Sequence, residues 1–383
     1  MPDAPGPARP RITYDGRPGE LFSLWLVNLL LTAVTLGVYR FWARARTRRY
    51  LWSHLAVDGH RFAYTGTGGE LFRGFLLALL GVLVPALLVV LAAPLVLPEP
   101  LVPLAILAVY AALLPLGLFG VFTARRYLMR RTVLRGIAFE QGGSAWDYAF
   151  RMTGRLLLTA VTLGLHGPWM IAASLRRTVG ATRHGGTEFR FDGEGGELLG
   201  WALLCGVLGA TVMGLALLLA MPTLVQAGAM LGGASPGEGL GAGSPFRADP
   251  DRLAFLLLGA GAPLLAGYLV AIALGAVVWQ AVTWRFLVEH TLVGNAGTGA
   301  ARLDLATGLG GIMGSIASNA LIVVLSLGLL TPIAQHRWMR FATRTLVLDG
   351  RLDLDRAVPR QVPRGPGHGE GLADAFGVGA AAL

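Results

Sequence analysis

Seven long apolar runs, at about 21–39, 71–97, 101–124, 156–175, 198–221, 253–282 and 309–334, dominate this 383-residue chain. A helix needs roughly 20 mostly apolar residues to cross a hydrocarbon core. Within that core a backbone must satisfy its own amides, and a helix does so inside one segment. Only 14% of the residues are charged, against about 25% in ordinary soluble domains. A soluble bundle of buried helices would need far more polar surface than that. Pro98-Glu99-Pro100 joins the second and third runs as a tight helical hairpin. The Gly/Ser/Pro-rich stretch 232–252 reads as a flexible loop, and the tail 359–383 as disordered. Residues 1–20 are Pro-rich, contain acids and lack a cleavage-like site after a short apolar core. The first run is therefore expected to stay in the mature protein.

The chain also repeats itself. LLLTAVTLG at 29–37 recurs at 156–164, an offset of 127 residues. At the same offset Trp42 matches Trp169, Arg49 matches Arg176, and Gly68-Gly69-Glu70-Leu71 matches Gly195-Gly196-Glu197-Leu198. A weaker third copy aligns Leu321–Gly328 with the same run, Arg49 with Arg340, and Asp58-Gly59 with Asp349-Gly350. A period of this kind signals an architecture built from repeated units. The expected division is a disordered N-terminus (1–11), a first membrane repeat (12–135), a second (136–285) and a partial third (286–358).

Between the apolar runs lie strand-like pieces. His54–Gly66 and Thr345–Asp355 alternate around Asp-Gly, a strong hairpin signal. Ile12 and Tyr14, Ile137 and Phe139, and Leu303 and Leu305 mark further strand-like pieces. Such strands must sit in water or at headgroup level, not in hydrocarbon. The expected fold is thus an α-helical polytopic membrane protein with tandem internal repeats and small cytoplasmic β-hairpin elements.

Arginine sets the sidedness, since short cytoplasmic loops gather positive charge. If all seven runs span, the Arg residues outside them divide 22 inside to 9 outside. If 21–39, 156–175 and 309–334 dip in and return, the division becomes 29 to 2. Each of these three carries a Leu-Gly break late in its run, at 36–37, 163–164 and 327–328. The charge favours the re-entrant arrangement, while the length of the runs argues for spanning. Both place the C-terminus in the cytoplasm.

TLGVYRFWARARTRRYLWSHLAVDGHRFAYTGTGGELFRG (35–74), with YDGRPGELF (14–22), resembles the YjgN-like family of bacterial inner-membrane proteins. The likeness runs over about residues 12–358. The second copy departs from the pattern: His166-Gly167-Pro168 replaces Tyr39-Arg40-Phe41, and Arg176-Arg177-Thr178 replaces Arg-Arg-Tyr. The family is one of unknown function. The resemblance implies an inner-membrane location and no catalytic residues.

Three kinds of residue are candidates for function. Glu20, Glu70 and Glu197 each open an apolar run, where a carboxylate complements the helix dipole and caps free N–H groups. Cation binding by the three is the sharper alternative. Arg44, Arg46, Arg48, Arg49, Arg125, Arg126, Arg176, Arg177 and Arg340 lie at segment ends among aromatic side chains. They are membrane anchors and candidate contacts to anionic lipid; their scatter does not suit nucleic acid. Asn28, Thr32, Thr35, Thr159, Thr162 and Asn319 are candidate intramembrane polar contacts, bonding across helices or lining a solute path.

No Asp or Glu lies deep in a run, which argues against an ion-driven pump. The single cysteine, Cys205, forms neither an internal disulfide nor a thiolate cluster. H-E-x-x-H, G-x-S-x-G and Walker A motifs are missing, so no enzyme, cofactor or metal is expected. Two roles follow as expectations. One is binding or transport of a small or amphipathic solute. The alternative is a non-transporting membrane-organising or interaction protein, holding anionic lipid or a partner through its Arg-rich cytoplasmic face. The bilayer is the one certain partner on this reading.

Overall fold

A computed structural model describes residues 11–231, 250–294 and 301–350. The expected loop 232–252 and tail 359–383 fall wholly or mostly outside these residues. The chain divides into two compact units, one formed by residues up to Glu197 and from Trp284 onward, the other by Leu198–Thr283.

Among the described residues, four stretches are long and apolar enough to cross a membrane: Gly68–Val96, Glu99–Arg131, Gly195–Gly228 and Ala254–Glu289. The first consists of α3 (Gly68–Ala78), a π turn (Leu79–Leu83) and α4 (Val84–Val96). Pro85 explains the π turn: it donates no amide and its ring crowds the turn before it. A 3-10 turn at Glu99–Leu101 leads into α5 (Val102–Arg131).

The other three apolar runs are not single spans. Each is broken into a helical hairpin: α1 (Pro18–Val34) with α2 (Arg40–Ser53), α6 (Ala145–Val161) with α7 (Gly167–Val179), and α10 (Leu309–Leu325) with α11 (Thr331–Thr345). Of the two arrangements left open by the sequence, the broken helices favour the re-entrant one, with four span-length helices among the described residues. At each break a leucine and a glycine adopt left-handed backbone: φ is 51° and 90° at Leu36-Gly37, 50° and 94° at Leu163-Gly164, and 51° and 87° at Leu327-Gly328. The glycine N–H then reaches the carbonyl five residues back, at Thr32, Thr159 and Val323. That bond closes a helix and reverses the chain. Pro168 and Pro332, both fully buried, open the first turn of the two later return helices.

The strands form one antiparallel sheet of ten, in chain order: β1 (Ile12–Tyr14), β2 (Leu55–Val57), β3 (His60–Tyr64), β4 (Thr132–Leu134), β5 (Ile137–Gln141), β6 (Thr182–His184), β7 (Thr187–Phe191), β8 (Thr291–Val293), β9 (Ala301–Leu305) and β10 (Leu346–Asp349). The expected small hairpins are joined here into one larger sheet. Each hairpin pairs with the next, so every helical excursion leaves and re-enters between neighbouring strands. Register puts Phe62, Phe139, His184 and Phe189 on one face. Phe62 and Phe139 lie two strands apart, about 9.5 Å, yet their rings are 6.2 Å apart, as are those of Phe139 and Phe189. That face is concave and filled by aromatic rings. The convex face carries ion pairs such as Arg61–Asp15 (2.5 Å) and Arg183–Glu188 (3.3 Å). The sheet nearly closes: α11, which precedes β10, packs on β1, with Tyr14 5.5 Å from His336.

In the second unit, α8 (Gly195–Leu231) and α9 (Pro250–Glu289) pack through small residues. Ala216, Ala220 and Ala260 are buried, and Gly267 has room for no side chain because Ala216 abuts it. Close backbone approach of this kind replaces the hydrophobic effect where lipid surrounds both helices. Cys205 rests against the Gly275 carbonyl, 3.9 Å away, as an ordinary packing residue.

Candidate functional site at the helix ends

The polar chemistry of the first unit gathers where helices meet the sheet. In this layer α1, α3, α6 and α8 begin with an acid in the first turn, and each acid also holds a residue in a neighbouring helix or just past its end. Glu20 accepts from the Tyr50 hydroxyl (3.1 Å). Glu70 completes a capping box with Thr67, accepts from Tyr127 (2.7 Å) and pairs with Arg131. Glu197 accepts the Glu194 N–H and lies 3.0 Å from His290 Nε2. Asp147, capped by Ser144, bridges Arg151 and Arg177. The Arg151 hydrogen bond holds the Asp147 carboxyl below the usual carboxylate range. These partners hold the three glutamates in separate hydrogen-bonded clusters, and among the described residues no three His, Cys, Asp or Glu side chains gather as a metal ion would need.

Arginine locks each helix to the hairpin that follows it. Arg49, Arg126 and Arg176 each donate to the carbonyl seventeen residues ahead, at Gly66, Gly143 and Gly193. Gly66 and Gly193 are required for packing, and Gly143 for its left-handed backbone, at φ 87°. A side chain at Gly66 would meet Tyr127 Oη at 2.7 Å, and one at Gly193 would meet Phe286 at 2.6 Å. Arg46 donates to Tyr39 Oη (2.8 Å) and Arg40 stacks over Phe41 and Phe75. Arg48 is buried, whereas Arg46, Arg49, Arg176 and Arg340 are exposed and Arg44, Arg125, Arg126 and Arg177 half-buried.

The intramembrane polar candidates bond locally. Thr32 and Thr159 donate to carbonyls one turn back in their own helices. Thr35 and Thr162 hold the hairpin turns by accepting the Tyr39 and His166 N–H at 2.9 and 3.0 Å, and Ser326 does the same for Leu330 at 3.0 Å. Asn28 donates to Ala43 O (3.4 Å), which ties α1 to α2, and Asn319 accepts from Arg337 Nε (3.0 Å). They do not come together as one path.

Sequence reasoning missed Asp147 and His290, and read Tyr127 and Arg131 as membrane anchors and not as partners of Glu70, because these roles depend on helices meeting across long separations. It also missed a group of buried polar side chains about the concave sheet face. Among the described residues the side chains of Gln141 and His184 have no hydrogen-bond partner, and neither does His336 Nδ1. Burial depresses the pKa of both histidines, helped by Arg135 near His184 and Arg340 near His336. An apolar cavity of about 190 Å³ opens between α5, α6 and α7, with Tyr148 and Ser174 at one end.

Four long apolar helices, three apolar hairpins and a polar layer at their ends define a polytopic helical membrane protein. The chain belongs to the family described as "Bacterial protein of unknown function (DUF898)", whose model matches residues 9–375. It is 42% identical over 66 residues to "Inner membrane protein YjgN" of Salmonella typhimurium strain LT2, and 42% identical over 59 residues to the protein of that name in Escherichia coli strain K12. These alignments cover 17% and 15% of each chain. No solved structure matches.

Proposed function

We propose that this chain is a non-enzymatic inner-membrane protein that organises one leaflet, engaging anionic lipid headgroups around its strand layer. The observation that carries this reading is the exposure of the hairpin turns. Leu36 and Leu163 are 94% exposed and Leu327 93% exposed. Apolar tips of that kind need hydrocarbon around them. On α1, the stretch from Leu26 to Leu36 is mostly exposed and apolar. Ten residues of helix rise about 15 Å, half of a hydrocarbon core about 30 Å thick. The hairpins therefore act as half-depth wedges beside full spans. The charge division of 29 to 2 supports a cytoplasmic strand layer and C-terminus. We read the three hairpins as copies of one repeated unit.

The solute-carrying alternative draws less support. Its polar residues bond within their own hairpins, and the concave sheet face is filled by Phe62, Phe139 and Phe189.

Reconstitution into vesicles with spin-labelled lipid tests the proposal. Phosphatidylglycerol should be motionally restricted more than phosphatidylcholine. Replacing the exposed Arg46, Arg130 and Arg340 together by Gln should shrink the difference. Equal restriction of the two lipids by the unaltered protein would sink the reading.

A further inference from the structure

We infer that the cavity between α5, α6 and α7 is a specific phospholipid site, holding one acyl chain of an anionic lipid with its phosphate on Arg125. This deepens the leaflet reading above and rests on it. Leu118, Met152, Leu156 and Met170 form the walls of the cavity, and Tyr148 and Ser174 lie at the end nearest the sheet. The walls are apolar and two of them are methionines, whose flexible thioethers adapt to an irregular chain. At the sheet end, the Tyr148 hydroxyl bonds Ser174 at 2.9 Å and its ring packs on Phe122 at 4.9 Å, while Arg125 follows Leu118 and Phe122 at i+7 and i+3 on the same face of α5.

Arg125 is what selects the occupant. Its Nε is buried without a hydrogen-bond partner, and it pairs with no carboxylate among the described residues. The acid nearest in sequence along α6, Asp147, is already taken by Arg151 and Arg177. Its neighbour Arg126 is committed to the Gly143 carbonyl and the Phe122 ring. An ionised group in a membrane helix is costly unless a counter-charge reaches it. A phosphate at headgroup level supplies that charge, and the cavity leads from it toward the hairpin tip. A cation beside an apolar channel suits an amphiphile with an anionic head.

The test uses the full chain, incubated in mixed micelles with equal parts phosphatidylglycerol and phosphatidylcholine, then delipidated and examined intact by mass spectrometry. The expected result is one retained phosphatidylglycerol per chain. Arg125→Gln should lower that retention about tenfold, as for loss of one charged hydrogen bond, and Arg125→Lys should restore part of it. Met152→Trp, which fills the cavity, should remove the retained lipid while leaving vesicle restriction by the exposed arginines unchanged. That contrast separates failure of this site from failure of the leaflet reading. Should Arg125→Gln not fold, the Lys and Trp variants decide. Retention in the ratio of the bath, retention of free fatty acid in place of phospholipid, or retention unaffected by Met152→Trp would overturn the site.

Discussion

At Gly66 a single hydrogen atom is what the packing permits. The ring of Tyr64 folds back over the glycine and Tyr127 closes it from the other side. Gly66→Ala should cost about 1–3 kcal/mol, the usual penalty of overpacking. Gly69, three residues on, has open space around its Cα and lies in α3. Gly69→Ala should be neutral or stabilising by up to about 1 kcal/mol through helix propensity. Thermal unfolding of the detergent-solubilised protein compares the two, and equal effects would contradict the packing argument. The buried histidines make a second residue-level prediction. His184 stacks on Phe139 at 4.4 Å, and burial, then Arg135, lower its pKa. His336 is lowered by burial, then Arg340. Below an unfolded value of about 6.5, the unfolded chain binds more protons than the folded one, so stability falls as pH drops. The loss levels off once the folded pKa is passed. Asp15 is also depressed, by its hydrogen bond to Arg61, but its contribution is lost only below about pH 4. The unfolding temperature should therefore fall between pH 7.5 and 5.5, and His184→Phe should flatten that slope. A slope unchanged by the substitution would mean that other groups set it.

The hairpin break is the element on which the architecture turns. Its leucines carry positive φ, a conformation that costs an L-residue with a Cβ roughly 1–2 kcal/mol. Glycine tolerates it but loses more freedom on folding, about 0.5–1 kcal/mol. Leu36→Gly, Leu163→Gly and Leu327→Gly should thus be neutral to stabilising by up to about 1 kcal/mol each in detergent, where the tips face a micelle. The same changes should weaken membrane insertion, because the exposed leucine is lost. Thr35→Val and Thr162→Val should each destabilise by about 1 kcal/mol, by removing the acceptor that holds the next helix start. Calorimetry of these variants distinguishes a strained, hydroxyl-held turn from a plain loop. Parts of this element are legible in sequence. The apolar run, the Thr-Leu-Gly and the basic stretch beyond it are all visible, and charge already argued for a return. The left-handed turn is not visible, since leucine rarely adopts it. Strand β4 was hidden for a similar reason. Thr132–Leu134 follows the last arginines of α5 without a break, and its turn is Arg135-Gly136, at φ 54° and 79°. Asp147 went unseen because its helix start reads Trp-Asp-Tyr where the others read Gly-Glu-Leu. The grip of Glu70 on Tyr127 and Arg131 depends on α3 meeting the end of α5, which no local pattern states.

For the molecule as a whole, the question is what a continuous strand layer does to membrane topology. Ten antiparallel strands in chain order require every connection to begin and end on that layer. Open strand edges are not tolerated in hydrocarbon, so the layer lies outside it. Each helical excursion between strands must then return to the side it left. The short hairpins and the long hairpin of α3–α5 obey one rule and differ in length. This explains how apolar runs with basic flanks on both ends escape the cost of carrying arginine across the bilayer. It also yields a prediction that separates this arrangement from seven alternating spans. In a Cys205→Ala background, single cysteines at His60, Arg183 and Glu99 are all exposed positions. His60 precedes the hairpin of α6 and α7 and Arg183 follows it, while Glu99 sits at the tip of α3–α5. An impermeant maleimide applied to intact cells should label the cysteine at Glu99 and spare the other two, and all three should react after lysis. If seven runs crossed in turn, residues 60 and 183 would lie on opposite sides, and Arg183→Cys would react from outside. Labelling at Arg183→Cys in intact cells would therefore break the link between one strand layer and one side of the membrane.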